Sequence, residues 1–227
     1  MKFRLLNYTS ILLFVIAKQK VFAQDFKFMD SIQKVIASKS DNDPLKSHLM
    51  GRLAFEYSYV SLDSGLVIAK NAMTLATKQN NAANRADIFN VLGTIYNDKA
   101  DYKMAIDCYT EGRKIAEHLN LKKLLSNIYT NISTTQNILK DYQNGKHYLF
   151  ESIKLIKELN SPQIMAPAYL NLGSLYLNMD ITDSALYYFD LALASPKNSK
   201  SFTAMLLRLK SPLLPLSKTI WFCWKGM

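Results

Sequence analysis

The side chains of this chain that could bind a metal or attack a substrate are few and scattered. His48, His118 and His147 are its three histidines. None lies three or four residues from another histidine or at metal-ligand spacing from a cysteine, the arrangements that let one helix or loop present two ligands to one ion. Cys108 and Cys223 are the only cysteines. Cys108 stands beside Tyr109 in an apolar run and reads as a small buried residue, and a disulfide between the two is not expected. No glycine-rich phosphate loop, no Gly-x-Ser-x-Gly turn and no carboxylate pair on an obviously shared face occurs. These residues predict a non-enzymatic protein with no metal and no cofactor, whose chemistry is hydrogen bonding at a surface.

The elements that position such a surface are legible as a repeat. Gly65, Ala105, Gly145 and Ala185 stand 40 residues apart, and Ala69, Tyr109, Leu149 and Phe189 follow them by four. Leu92, Ile132 and Leu172 share another column, as do Leu75, Ile115 and Leu155, and Asn80, Asn120 and Asn160. A fixed period of about 20 to 50 residues is the pattern of stacked helical hairpins. Each Asn closes an apolar run, where a residue tolerant of the left-handed conformation ends a helix. Residues 96–102 carry polar turn chemistry between two runs of period 3.6, which gives helix, short turn, helix. Gly93, Ser133 and Gly173, with the column of Gly65, are small where the two helices of a hairpin cross. A glycine within a helix costs about 1 kcal/mol relative to alanine, and only close packing offsets that. Tyr96, Tyr109, Tyr176 and Phe189 then read as core fillers between hairpins.

Phe89, Leu92, Gly93, Tyr96, Ala105 and Tyr109 stand in the order of the tetratricopeptide repeat, and this segment resembles that family. Tyr169, Leu172, Gly173, Tyr176, Ala185 and Phe189 repeat the resemblance, with Pro196 one position before the family's closing proline. A looser copy runs through Tyr129, Ile132, Ser133, Gln136, Gly145 and Leu149. In the first copy Ala54 and Tyr57 stand one residue out of frame with Gly65, which predicts a turn one residue shorter. The period exceeds the family's usual 34 residues, so longer helices are expected.

The resemblance implies an all-α solenoid of about four helix-turn-helix hairpins over residues 44–80, 81–120, 121–160 and 161–196. A capping helix within 24–43 precedes them, with Phe28, Ile32, Val35 and Ile36 as its apolar stripe and Asp43-Pro44 opening the next helix. It also implies a concave groove lined by the first helix of each hairpin, which holds a peptide or a partner's helix. By column the groove residues are Asn90, Thr94, Asn97, Asn127, Thr130, Thr134, Asn137, Ser174 and Asn178. These are neutral donors and acceptors suited to a peptide backbone. The Lys and Arg with which the family clamps a C-terminal carboxylate are missing from these columns. A solvated polar face without a ligand is the competing reading.

The ends differ from the middle. Lys2 and Arg4 precede the apolar run 11–17, and Val21-Phe22-Ala23 places a cut ahead of Gln24, so residues 1–23 read as a secretory signal peptide. The run is shorter than the roughly 20 residues that span a bilayer. An exported protein, periplasmic or extracellular, is expected, with membrane contact only through this signal or the basic tail. Net charge is +10, from 28 Lys and Arg against 18 Asp and Glu. Four of the bases lie in residues 1–23 and six in 197–227, both free of acid, so the stretch between is neutral. A neutral body offers phosphates no large electrostatic footprint, which excludes a nucleic-acid partner. In the tail, 197–227, the 40-residue frame stops, Pro212 and Pro215 break helix, and Trp221 and Trp224 are the only tryptophans. A shifted reading frame or truncated gene explains it, against a membrane-touching tail or a divergent cap. Signal, single capping helix and 40-residue repeats also resemble the extracytoplasmic input region of bacterial sensor histidine kinases. On that alternative the chain is a ligand-sensing region without its transmembrane and kinase parts.

Overall fold

The computed structural model describes residues 27–195; the signal segment and the tail lie outside the described residues. Within them the chain is helical, with no strand. Helix α1 covers 27–38. It is followed by α2 (Pro44–Ser58), α3 (Leu62–Lys78), α4 (Ala82–Asp98), α5 (Tyr102–His118), α6 (Lys122–Ile138), α7 (Tyr142–Glu158), α8 (Met165–Asn178) and α9 (Thr182–Ala194). A 3-10 turn, Pro162–Ile164, leads into α8.

The boundaries follow a 20-residue rhythm. Asn80, Ala100, Asn120, Lys140, Asn160 and Asp180 all have positive φ, between 48° and 62°. A left-handed residue stops one helix and leaves the next residue extended enough to start another. Ser61, Asn81, Asp101 and Asp141 then cap the following helix, each accepting a hydrogen bond from the backbone N–H three residues on. Leu121 and Ile181 occupy the same position without a side-chain cap. The α2–α3 turn lacks a left-handed residue. There Ser61 N donates to Tyr57 O, four residues back, whereas Asp141 N reaches Gln136 O, five back. The hydrogen-bonded turn is tighter there, while three residues, 59–61, separate the helices as at 99–101 and 139–141.

The chain forms two compact units, up to Lys99 and from Ala100 on. In the first, α2 and α3 pair and α4 packs on both. α1 buries Met29 and Ile32 against Leu53, with Ile36, Leu49, Tyr57 and Ile68 around them. The stripe expected from sequence is thus turned: Phe28 and Val35 are exposed, and the Arg52 guanidinium sits 5.0 Å above the Phe28 ring. A polar lattice fixes the start of α2 to the α3–α4 turn. Gln79 donates to Asp41 O and Asp43 O at 2.7 and 2.9 Å, and Asn84 donates to Pro44 O and Ser47 Oγ at 2.7 and 2.8 Å.

In the second unit, α6 pairs with α7 and α8 with α9, while α5 packs on α6 and α7 on α8. Leu149, Ile153 and Ile156 of α7 meet Met165, Ala168, Leu172 and Leu175 of α8 in its core. The small-residue column marks close crossings. A Cβ on Gly145 would lie 3.0 Å from Leu175 Cδ1 and 3.4 Å from Ser133 O. Tyr109 and Phe189 are buried, but Tyr96 and Tyr176 are only half-buried rather than core fillers. Tyr176 stacks on Tyr188 at 5.4 Å, nearly parallel.

Candidate binding surface

The groove residues expected from sequence divide between the units. Asn90, Thr94 and Asn97 lie on α4, all half-buried. Asn127, Thr130, Thr134 and Asn137 lie on α6, and Ser174 and Asn178 on α8. Asn127 and Asn178 are exposed and the other four half-buried.

Their hydroxyls are used inside the helices. Thr94 Oγ1 donates to Asn90 O at 3.1 Å, Thr134 Oγ1 to Thr130 O at 3.1 Å and Ser174 Oγ to Leu170 O at 3.0 Å. Thr130 Oγ1 donates to Ser126 O at 2.9 Å and lies 2.9 Å from Ser152 Oγ, a buried group of α7 that itself donates to Ser126 O. A hydroxyl in mid-helix finds the carbonyl four residues back within reach. The threonines and Ser174 therefore offer a partner acceptor lone pairs rather than protons.

The asparagines bring α6 and α8 together. Asn178 Nδ2 donates to Asn137 Oδ1 at 3.1 Å, and Asn171 Nδ2 donates to Thr134 Oγ1 at 3.3 Å. Asn171 is absent from the sequence-derived set; its column holds Asn131 and Val91 in the two preceding copies. A primary amide carries two N–H donors and an oxygen with two lone pairs. One bond each leaves a ladder of amides with capacity for a further chain, in positions fixed by the bonds already made.

In the first unit, α2 and α4 place His48 Nδ1 3.6 Å from Asp87 Oδ2. Asp87 stands three residues before Asn90 on the same stripe of α4. Burial pushes its carboxyl pKa up, against a smaller pull downward from His48. The sequence leaves His48 isolated because its neighbour is a carboxylate one hairpin on, at no fixed spacing. Phe55 of α2 and Tyr59, the residue that caps its C-terminus, make an edge-to-face pair at 5.2 Å, and Tyr59 is 70% exposed. Exposed, rigid aromatic area of this kind anchors protein interfaces.

Reactive groups in the second unit are held quiet. Cys108 is buried and free, and burial pushes its thiol up to about 11, far from the thiolate a nucleophile needs. Tyr129 donates to Glu117 Oε1 at 3.1 Å, beside the Arg113–Glu117 pair at 2.8 Å. Burial first, then that bond, push the phenol up to about 12, so it stays protonated at neutral pH. His118 and His147 are exposed and apart, on α5 and α7. Among the described residues no three His, Cys, Asp or Glu side chains gather as metal ligands, and no helix is long and apolar enough to cross a membrane.

Paired helices, 17 residues long from α3 to α7, with small residues at their crossings, are the pattern of a helical repeat. The sequence model of one such family, the tetratricopeptide repeat, matches residues 86–117. Over those residues the chain is similar to a tetratricopeptide repeat. Solved structures extend the likeness to the rest of the array. BtubC (BKLC) from P. vanneervenii is similar over 90% of this chain and 91% of its own, at 16% identity and a TM-score of 0.62. Aspartyl phosphate phosphatase F from Bacillus subtilis is similar over 86% of this chain at 19% identity and a TM-score of 0.71, and the apo form of RapI over 85% at 14% and 0.65. This chain covers 52% and 55% of those two. At such identities the likeness establishes the helical-repeat fold alone. No curated protein matches the sequence.

Proposed function

We propose that this helical-repeat protein is a non-enzymatic interaction module that captures an extended peptide or a partner's helix along the first-helix faces of its hairpins. The observation that carries this reading is the amide ladder of α6 and α8, in which Asn137, Asn171, Asn178 and Thr134 hold one another in place. Pre-set donors and acceptors lower the ordering cost of binding a backbone. The ladder residues of α6 and α8 are uncharged, so affinity of a neutral peptide for them should be nearly independent of salt, unlike capture of a terminal carboxylate by Lys and Arg. Export accompanies this reading through the leader-like residues 1–23, and a mature chain beginning at Gln24 is its direct consequence.

Peptides selected from a display library against the full chain test the proposal. Asn137→Ala combined with Asn178→Ala removes about two hydrogen bonds to the ligand, each worth roughly 0.5–1.5 kcal/mol. Affinity should fall on the order of tenfold with the melting curve unchanged. Unaltered affinity would place the site elsewhere.

A further inference from the structure

In the first unit a single helix, α1, lies over α2 and α3, and side chains from all three wall a cleft of about 300 Å³. Its apolar walls are Ile36 and Ala37 of α1, Met50 and Leu53 of α2, and Ile68 of α3. The buried stripe of α1 runs through Met29, Ile32 and Ile36 and ends on Ala37, which brings only a methyl group to the wall. Among the polar residues of the lining is one cation, Lys46. Its side chain is 20% exposed, and its ammonium donates to Asp41 Oδ1 at 2.7 Å. An ammonium has three N–H donors, and this bond uses one.

The charges at this end of the cleft do not cancel. Lys39 pairs with Asp43 at 3.1 Å and Lys46 with Asp41, while Lys78, the last residue of α3, adds a third cation. The bond and charge of Lys46, and more weakly the charge of Lys78, hold the Asp41 carboxyl below its ordinary range against some desolvation. Three ammonium groups around two carboxylates favour one more anion. The loop that carries the carboxylates is fixed, because Gln79 donates to Asp41 O and Asp43 O at 2.7 and 2.9 Å. A pre-formed, mostly apolar cleft with one charged group at its mouth has the form of a small-molecule site. A cavity of about 150 Å³ holds benzene, so this one takes roughly ten non-hydrogen atoms. We propose that the α1–α2–α3 cleft binds a small aliphatic carboxylate, an acyl chain of about eight carbons lying against Ile36, Met50, Leu53 and Ile68 with its carboxylate on Lys46 Nζ. The cleft shares no residue with the amide ladder of the second unit, so either site can fail without the other.

Calorimetric titration of the full-length protein with octanoate and with octanol tests this. Octanoate should bind at about millimolar affinity or tighter. It should bind at least about tenfold more tightly than octanol, because only the acid makes a charge-assisted bond to the ammonium. Lys46→Met keeps the apolar stem and removes the ammonium, so the two probes should then bind alike. Ala37→Phe puts a ring into the cleft from an exposed position of α1, and it should abolish binding of both with the helical circular dichroism unchanged. Equal affinity for acid and alcohol in the unaltered protein would overturn the proposal, as would the absence of heat at millimolar octanoate. Octanoate binding that survives both substitutions would overturn it too, because the acid would then sit elsewhere.

Discussion

Gly173→Ala is expected to destabilise the second unit by about 1 to 3 kcal/mol, although alanine for glycine inside an uncrowded helix stabilises by about 1 kcal/mol. The two effects have opposite signs, so the sign of the measured change decides whether α8 and α9 cross in contact. A Cβ on Gly173 would strike both Cδ1 and Cε1 of Phe189. That ring is 0% exposed, so it has no open space to move into and must displace Ala185 or Ala192 around it. Urea unfolding reads the change. Because the clash is with a side chain, Phe189→Leu should relieve it, and the double variant should be more stable than the two single losses add up to. Alanine at 173 that raises stability would show the crossing to be loose.

Gly65→Ala is expected to cost as much or more, and without rescue. There the added Cβ would meet backbone: Ala54 O at 2.9 Å, Ser58 N at 3.0 Å and Ser58 Cα at 3.1 Å. No side-chain truncation can withdraw those atoms, so α3 must move off α2, carrying with it Ile68, which packs beside Leu53 under α1. The expected readout is a loss of about 1 to 3 kcal/mol or more, with faster hydrogen exchange in α2 and α3. Unchanged exchange together with a gain in stability would contradict the crossing.

The repeat was readable because its signals are steric. Gly65, Gly145 and Gly173 are small where a Cβ would strike a neighbouring helix, and asparagine tolerates positive φ at 80, 120 and 160. The polar residues 96–102 mark one of the alternate turns, but residue type does not give the left-handed residue in any of them. Ala100, Lys140 and Asp180 take the same conformation, although alanine and lysine carry no left-handed preference. At Lys140 and Asp180 the N–H groups of Asp141 and Ile181 reach Gln136 O and Tyr176 O, five residues back, and these local bonds hold the backbone against propensity. The α1 stripe was misjudged because Phe28 counts as apolar in any pattern, while in the structure its ring is the platform for Arg52.

The candidate site was legible in residue type and not in bonding. Columns identified the asparagines and threonines of α4, α6 and α8, but spacing cannot say where a hydroxyl proton goes. Back-bonding to the carbonyl four residues earlier leaves Thr94, Thr134 and Ser174 as acceptors. Asn171 and the His48–Asp87 pair escaped notice because their partners lie on other helices, 37 and 39 positions away in sequence.

A partner held by the first-helix faces leaves a hydrogen-exchange footprint there, read with a selected peptide on the full-length protein. Exchange is expected to slow on α6 and α8, around Thr134, Asn137, Asn171 and Asn178, with α7 and α9 unchanged. Protection confined to α7 and α9, or a peptide whose binding leaves α6 and α8 exchanging as in the free protein, would contradict capture by these faces.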